Sequence, residues 1–310
     1  MKTITLGRTG LQVTEMGFGC GGPSRAGQST GKTVAESVAV VRRALDAGVN
    51  FIDTSEAYGT EEIVGQAIRG LDRDALVLST KKRAGPQITP QDVVDSLEAS
   101  LKRMGTDYVD IYHLHAVVLE NYEYLLAEIV PTMQRLREQG KLRYIAVSER
   151  GHADPQHAML QRALDDDVWD VMMVMFNLLN QSARERIFPF TMEVGIGVLV
   201  MFAVRRALSD PDRLREVVGE LIERGEVDPA EVDRDDPLGF LVYEGGAASV
   251  PDAAYRFARH EPGTDVILSG TGNPEHLQAN LASFHRPPLP EADRRRLERI
   301  FAAVDSVAGN

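Results

Sequence analysis

Along this chain, short runs of β-branched and aliphatic residues alternate with longer stretches in which apolar positions recur every three or four residues. The runs fall at Met16–Cys20, Phe51–Ser55, Leu76–Lys81, Val109–His115, Tyr144–Ser148, Val171–Phe176, Gly197–Phe202 and Val266–Ser269, and each predicts a strand. Between them, Val34, Val38, Val41 and Leu45 share one helical face, as do Val93, Leu97, Leu101 and Met104. Thr89 can cap the latter helix, Pro90 suits its first turn, and Gly105 its stop. Strand followed by amphipathic helix, repeated, is the pattern of a parallel sheet wrapped by helices. Most repeats span roughly 26 to 34 residues, one βα unit each, and eight of them favour a closed barrel over an open sheet.

The expected fold is therefore α/β, a (β/α)8 TIM barrel occupying residues 1–310 as one domain. Two segments depart from a plain barrel. ITLGRTGLQVT has a glycine-bracketed turn between alternating residues, predicting an N-terminal β-hairpin that plugs the barrel floor. Arg205 to about Pro237 is charged and helix-forming, an insertion before the eighth strand that reads first as a surface excursion.

The 310 residues, with 43% hydrophobic and 26% charged, keep the ordinary balance of a globular protein. The charge of −12, from 46 acidic against 34 basic groups, disfavours a nucleic-acid backbone or an anionic membrane as partner. Cys20 is the one cysteine, so no disulfide framework or cysteine-cluster metal site can form, and a reducing compartment fits. Cys20 itself reads as a small buried strand residue. The opening MKTITLGRTG lacks the apolar run of a signal peptide, and no stretch nears the roughly 20 apolar residues of a membrane span. A cytoplasmic protein is expected.

In such barrels the chemistry sits at the C-terminal ends of the strands. Asp53 ends FIDTS, Tyr58 follows in EAYG, Lys81 ends VLSTK, and His115 ends DIYHLH. A carbonyl accepting hydride needs a hydrogen bond and then a proton, and a tyrosine hydroxyl supplies both. An ordinary tyrosine, with pKa about 10, is a sluggish acid. A nearby ammonium lowers that pKa, and a carboxylate holds the ammonium charged and in place. Lys81 and Asp53 suit these tasks, and a histidine can orient the carbonyl. Singly, a strand-end aspartate can be a helix cap, a mouth lysine solvated and a loop tyrosine mere packing; at the ends of three successive strands they read together as a site. His113 and His115 also form an HxH pair, but the further ligands of a metal-dependent hydrolase are missing, so no metal is expected.

LGRTGLQVTEMGFGCGG, DAGVNFIDTSEAYG, STK and DYVDIYHLH, in that order and spacing, resemble the aldo-keto reductase family, and the resemblance spans nearly the whole chain. It implies the catalytic roles of Asp53, Tyr58, Lys81 and His115, and an extended NADP(H) or NAD(H) bound across the barrel mouth without a Rossmann fold. It also implies that Ser148 meets the nicotinamide carboxamide, that Phe202 stacks beneath the nicotinamide, and that Gly270, Thr271, Asn273 and Asn280 lie at the adenosine end. A helix N-terminus there can offer amides to phosphate.

The chain departs from the family pattern at several of these positions. Glu149 stands where many relatives have asparagine, and still offers an acceptor to a carboxamide; Met173 stands where they have glutamine and offers none. Gly270 and His276 replace the lysine and arginine that often bind the 2′-phosphate, which weakens strict NADPH use. Arg205 and Arg206 could stand in, though at the start of the insertion they read first as solvated. Ala116 stands where many relatives carry a bulky aromatic, predicting a roomier pocket, with Ala116–Tyr124 and the insertion shaping substrate choice.

The resemblance implies reduction of a small aldehyde, ketone or open-chain sugar. An aldose 1-dehydrogenase is the close alternative. A cofactor-binding regulatory subunit with little turnover is an alternative of another class, which the intact tetrad argues against.

Overall fold

The expected strands form, and they close on themselves in the computed structural model, which describes residues Met1–Asn310. Strands β1 (Thr3–Thr5) and β2 (Gln12–Thr14) make an antiparallel hairpin. The barrel comprises β3 (Met16–Gly19), β4 (Phe51–Asp53), β5 (Val77–Arg83), β6 (Val109–Val117), β7 (Leu142–Glu149), β8 (Val171–Met175), β9 (Gly197–Met201) and β10 (Val266–Ser269). All neighbours run parallel, and β10 returns to pair with β3. Every residue of β8, VMMVM, is buried, as expected where side chains fill the interior and helices cover the outside.

Helices α1 (Val34–Asp46), α2 (Glu61–Ile68), α3 (Pro90–Met104), α4 (Leu119–Tyr124), α5 (Val130–Glu138) and α6 (Ala158–Ala163) follow the earlier strands. Beyond β8 come α7 (Ala183–Arg186), α8 (Phe188–Val194), α9 (Pro211–Glu223), α10 (Val250–Arg259), α11 (Pro274–Ser283) and α12 (Glu291–Ile300). Thr89 accepts from the backbone of Asp92, whose carboxylate bonds back to Thr89, while Gly105 ends α3 at φ 66°. This is the capping box and left-handed stop that TPQD and MG prescribe. Thr33 and Glu36 cap α1 in the same way.

The hairpin plugs the floor as anticipated. Leu6, Leu11 and Val13 are buried against Phe51, Val77, Ile111, Val171, Leu199 and Val266 at the bottom of the barrel. Its backbone comes so close that a Cβ on Gly7 would stand 2.3 Å from the Gly197 nitrogen. The insertion is less superficial than its charge suggests. Within it α9, capped by Asp210, buries Leu214, Val217, Val218 and Leu221 in the main core, an apolar stripe beneath a charged face.

Strand ends differ from expectation where side-chain caps intervene. The second barrel strand stops at Asp53, not Ser55, because Ser55 caps the turn Glu56–Tyr58 by accepting from the Ala57 amide. The β6 strand runs past His115 to Val117 through a bulge after Leu114. No helix is long and apolar enough to cross a membrane.

Candidate active site

Neighbouring strands β4, β5 and β6 bring Asp53, Tyr58, Lys81 and His115 to one end of the barrel. Lys81 is fully buried, and its ammonium donates to both Asp53 oxygens, at 2.6 and 2.5 Å, and to the Thr54 carbonyl at 2.7 Å. That uses all of an ammonium's donors. Ser79 donates to Asp53 Oδ1 at 2.8 Å, so the carboxylate is fixed from a second side. The ammonium lies 5.1 Å from the centre of the Tyr58 ring. Gly21 permits this ring position, since a Cβ there would stand 2.5 Å from Tyr58 Cε2. Tyr58 Oη is 3.2 Å from His115 Nε2, with the rings edge to face at 5.5 Å. Ser55 Oγ lies 3.2 Å from Nδ1 on the other side of that imidazole.

Burial sets the charge states here. It pushes Lys81 toward the neutral amine, but Asp53 alongside outweighs it and holds the ammonium above its ordinary range. Burial, reinforced by Lys81 and Arg83, lowers His115 to about 3, so its ring is neutral. From the sequence, Lys81 is expected to lower Tyr58. In the structure, burial raises Tyr58 more than Lys81 lowers it, and the hydroxyl stays protonated as an acid must.

A cavity of about 370 Å³ contains Asp53, Tyr58 and His115 together with Ala116, Met173, Phe202 and Gly270. Ser148, buried beside the cavity-lining Glu149, accepts through Oγ from the Ala116 amide at 2.9 Å, which leaves its hydroxyl hydrogen free to donate. Glu149 is turned inward. Its carboxylate accepts from the Met175 amide at 2.7 Å and lies 2.9 and 3.0 Å from Nδ1 of fully buried His157, so both oxygens considered for a carboxamide are committed within the protein. Phe202 adopts φ 67° just beyond β9, an outlier for a bulky residue. His152 stacks with its ring at 4.8 Å, and the Arg205 guanidinium lies 4.1 Å from its centre. Arg206 is the solvated member of that pair, facing Asp210.

Beyond Gly270 the cavity gives way to a cleft of about 730 Å³ lined by Ser24, Thr30, Lys32, Arg43 and the run Thr271–His276. Thr271 accepts from the Asn273 amide at 3.0 Å, and Asn273 caps α11 by accepting from Glu275 and His276. Asn280 donates to Ser269 at 3.0 Å and so stands behind this run. An aromatic face at one end and a polar, cationic cleft at the other suit an extended dinucleotide. Lys32 and Arg43 were not singled out in the sequence, because they come from the β3–α1 connection and from α1, where a lone cation reads as a solvated side chain. Their only sequence signal is charge on a face that the barrel turns toward α11.

No group of three or more His, Cys, Asp or Glu side chains is placed to hold a metal ion. His113 is buried behind the tetrad, with Nε2 3.1 Å from Ser79 Oγ.

The fold and this arrangement define a barrel with a lysine-backed tyrosine at its mouth. The family model described as the Aldo/keto reductase family matches residues 15–302. L-galactose dehydrogenase of Arabidopsis thaliana is 30% identical over 63% of this chain and 62% of its own length. The NADH-specific methylglyoxal reductase of Escherichia coli is 25% identical over 98% of this chain and 100% of its own. Among solved structures, an aldo-keto reductase from Bacillus halodurans in its holo form superposes with TM-score 0.73 at 22% identity, covering 98% of this chain and 97% of that one. The match spans less than two thirds of two curated relatives, a Glycine max probable aldo-keto reductase at 58% and the Arabidopsis enzyme at 62%.

The chain belongs to the aldo/keto reductase family. Members of that family are NAD(P)-dependent oxidoreductases acting on carbonyl and CH–OH groups.

Proposed function

We propose that this protein reduces a small aldehyde or ketone with NAD(P)H, using Tyr58 as general acid. The observation that carries the reading is the buried Lys81–Asp53 pair behind a protonated Tyr58, with His115 at the hydroxyl, inside one cavity. A bound nicotinamide dinucleotide supplies the hydride. Tyr58 hydrogen-bonds the carbonyl oxygen and gives up its proton as negative charge develops there. The phenolate left behind faces the Lys81 ammonium, which Asp53 and the Thr54 carbonyl hold still. Neutral His115 fixes the direction in which Tyr58 points, and burial keeps it from competing as an acid. Ser148, with its free hydroxyl hydrogen, is the residue assigned to the nicotinamide carboxamide. Phe202 is assigned to the ring, and Gly270, Thr271, Asn273, His276 and Asn280 to the adenosine end.

Oxidation of an aldose at its anomeric carbon is the second reading, favoured by the 30% identity to a plant L-galactose dehydrogenase. That direction needs Tyr58 as a base. One site serves both directions, Tyr58 giving its proton in reduction and taking one back in oxidation, and the cofactor ratio chooses between them.

The test follows nicotinamide absorbance with NADPH and NADH separately, against aldehydes, ketones, quinones and aldoses, for wild type beside Tyr58→Phe. Turnover should fall on the order of a hundredfold or more in the variant while the cofactor dissociation constant barely moves. Full activity in the variant removes Tyr58 from the mechanism. No oxidation or reduction of either cofactor by wild type defeats the oxidoreductase reading.

A further inference from the structure

Arg150 and Arg205 both border the catalytic cavity, and neither makes a contact within 4.0 Å to an Asp or Glu oxygen. Arg205 is half-buried, and its donors go to neutral partners: Nε to Asn310 Oδ1 at 2.7 Å and Nη2 to His152 Nε2 at 3.1 Å. Other half-buried arginines of this chain are paired, Arg184 with Glu261 at 2.5 Å, Arg186 with Asp305 at 2.7 Å and Arg259 with Glu15 at 3.0 Å. Carboxylates are not scarce, since acidic groups outnumber basic ones by 46 to 34. The two acids of the cavity itself are committed elsewhere, Asp53 to Lys81 and Glu149 to His157 and the Met175 amide.

Arg150, His152 and Arg205 line the same cavity wall, with Arg205 Nη2 3.1 Å from His152 Nε2. Two like charges on one cavity without a carboxylate partner repel each other in the free protein. An anion between them removes that penalty, because the guanidinium fork matches carboxylate and phosphate oxygens two at a time. The 3.1 Å contact between Arg205 and His152 is too short to straddle the Phe202 ring from face to face, so both flank the ring on one side and leave a single concave, cationic edge.

We propose that Arg150, His152 and Arg205 form an anion-binding subsite at the cavity mouth, taking a phosphate or carboxylate group. The inference borrows from the proposed function only the two possible sources of that group, the diphosphate of the dinucleotide or an acid group on the carbonyl substrate.

The test is calorimetric titration of the cofactor-free protein with inorganic pyrophosphate and with malonate. Wild type should bind one equivalent of at least one of them. Arg150→Gln and Arg205→Gln should each weaken that binding by on the order of tenfold, consistent with loss of one charge-assisted contact. Arg150→Glu, at an exposed position where folding is not at stake, should abolish it. Arg69→Gln, another arginine without a carboxylate partner but at the floor end of α2, serves as the control and should titrate like wild type. Repetition in saturating NADPH identifies the source: malonate that still binds marks a substrate carboxylate site, and malonate that is excluded marks the cofactor diphosphate. No saturable binding by wild type, or binding equal in all the arginine variants, overturns the proposal. None of these readouts uses turnover, so the result stands apart from whether a carbonyl is reduced.

Discussion

The same eight strands make both ends of this barrel, and both ends bury a paired carboxylate, Asp110 with Arg73 and Arg143 at the floor and Asp53 with Lys81 at the mouth, yet the interior is closed differently at the two. At the floor, the hairpin presses Leu6, Leu11 and Val13 onto an apolar layer, and a tyrosine hydroxyl from β7 closes onto the Thr9 carbonyl. At the mouth, a lysine and an aspartate are buried together, Ala116, His157 and Phe202 adopt positive φ, and the buried Nε2 of His157 has no partner. Positive φ at bulky residues and unmatched polar atoms each work against folding.

Substitutions at the two ends should therefore fail differently. Lys81→Met takes the ammonium from a buried Asp53 whose pKa burial already raises, and should lower stability by about 3–5 kcal/mol while removing activity. Leu6→Ala opens a cavity in the floor and should lower stability by about 3 kcal/mol. At a temperature where this variant is still folded, its turnover should match wild type. Denaturant midpoints and turnover measured side by side check both, and a Leu6→Ala variant that loses turnover while folded would mean the two ends are coupled.

A smaller effect comes from pH. His115 titrates near about 3 when folded and near about 6.5 when unfolded. Between those values the unfolded chain binds a proton that the folded chain does not, so His115 makes stability rise with pH through that window and contributes in full above it. The drop in denaturant midpoint from pH 7 to pH 5 should shrink in His115→Gln. An equal drop in both proteins would show that the imidazole is already charged in the folded state.

Much of this was legible in the sequence because the signals were local. Thr89, Pro90 and Gly105 mark α3, and the apolar runs mark the strands. The tetrad was legible because strand ends converge at a barrel mouth, so position along the chain implies proximity in space. What stayed hidden depends on contacts between distant segments. Glu149 reads as a mouth acceptor until His157, eight residues on, draws its carboxylate inward. Lys32 and Arg43 gain meaning only beside Thr271–His276. The direction of the Tyr58 shift turns on how much water the folded mouth excludes, which no spacing of residues expresses.

Ala116 joins the strain of the mouth to its selectivity, and a single substitution there separates the two. Its φ of 55° aims the backbone amide at Ser148 Oγ, 2.9 Å away, while its methyl group borders the cavity beside Tyr58 and His115. Ala116→Gly relieves the backbone and takes only one methyl group from the cavity wall, and should raise stability by about 1 kcal/mol or less. Ala116→Trp keeps a Cβ in the same backbone position but fills the cavity. Relative to a small aldehyde, kcat/KM for a branched or aromatic one should fall by about tenfold, the usual scale of steric discrimination in an apolar pocket. Measuring both substrates with both variants tells strain from shape: a substrate range unchanged by the tryptophan would place the binding of the carbonyl substrate away from β6, and would move the search for selectivity to Arg150, His152 and the α9 insertion.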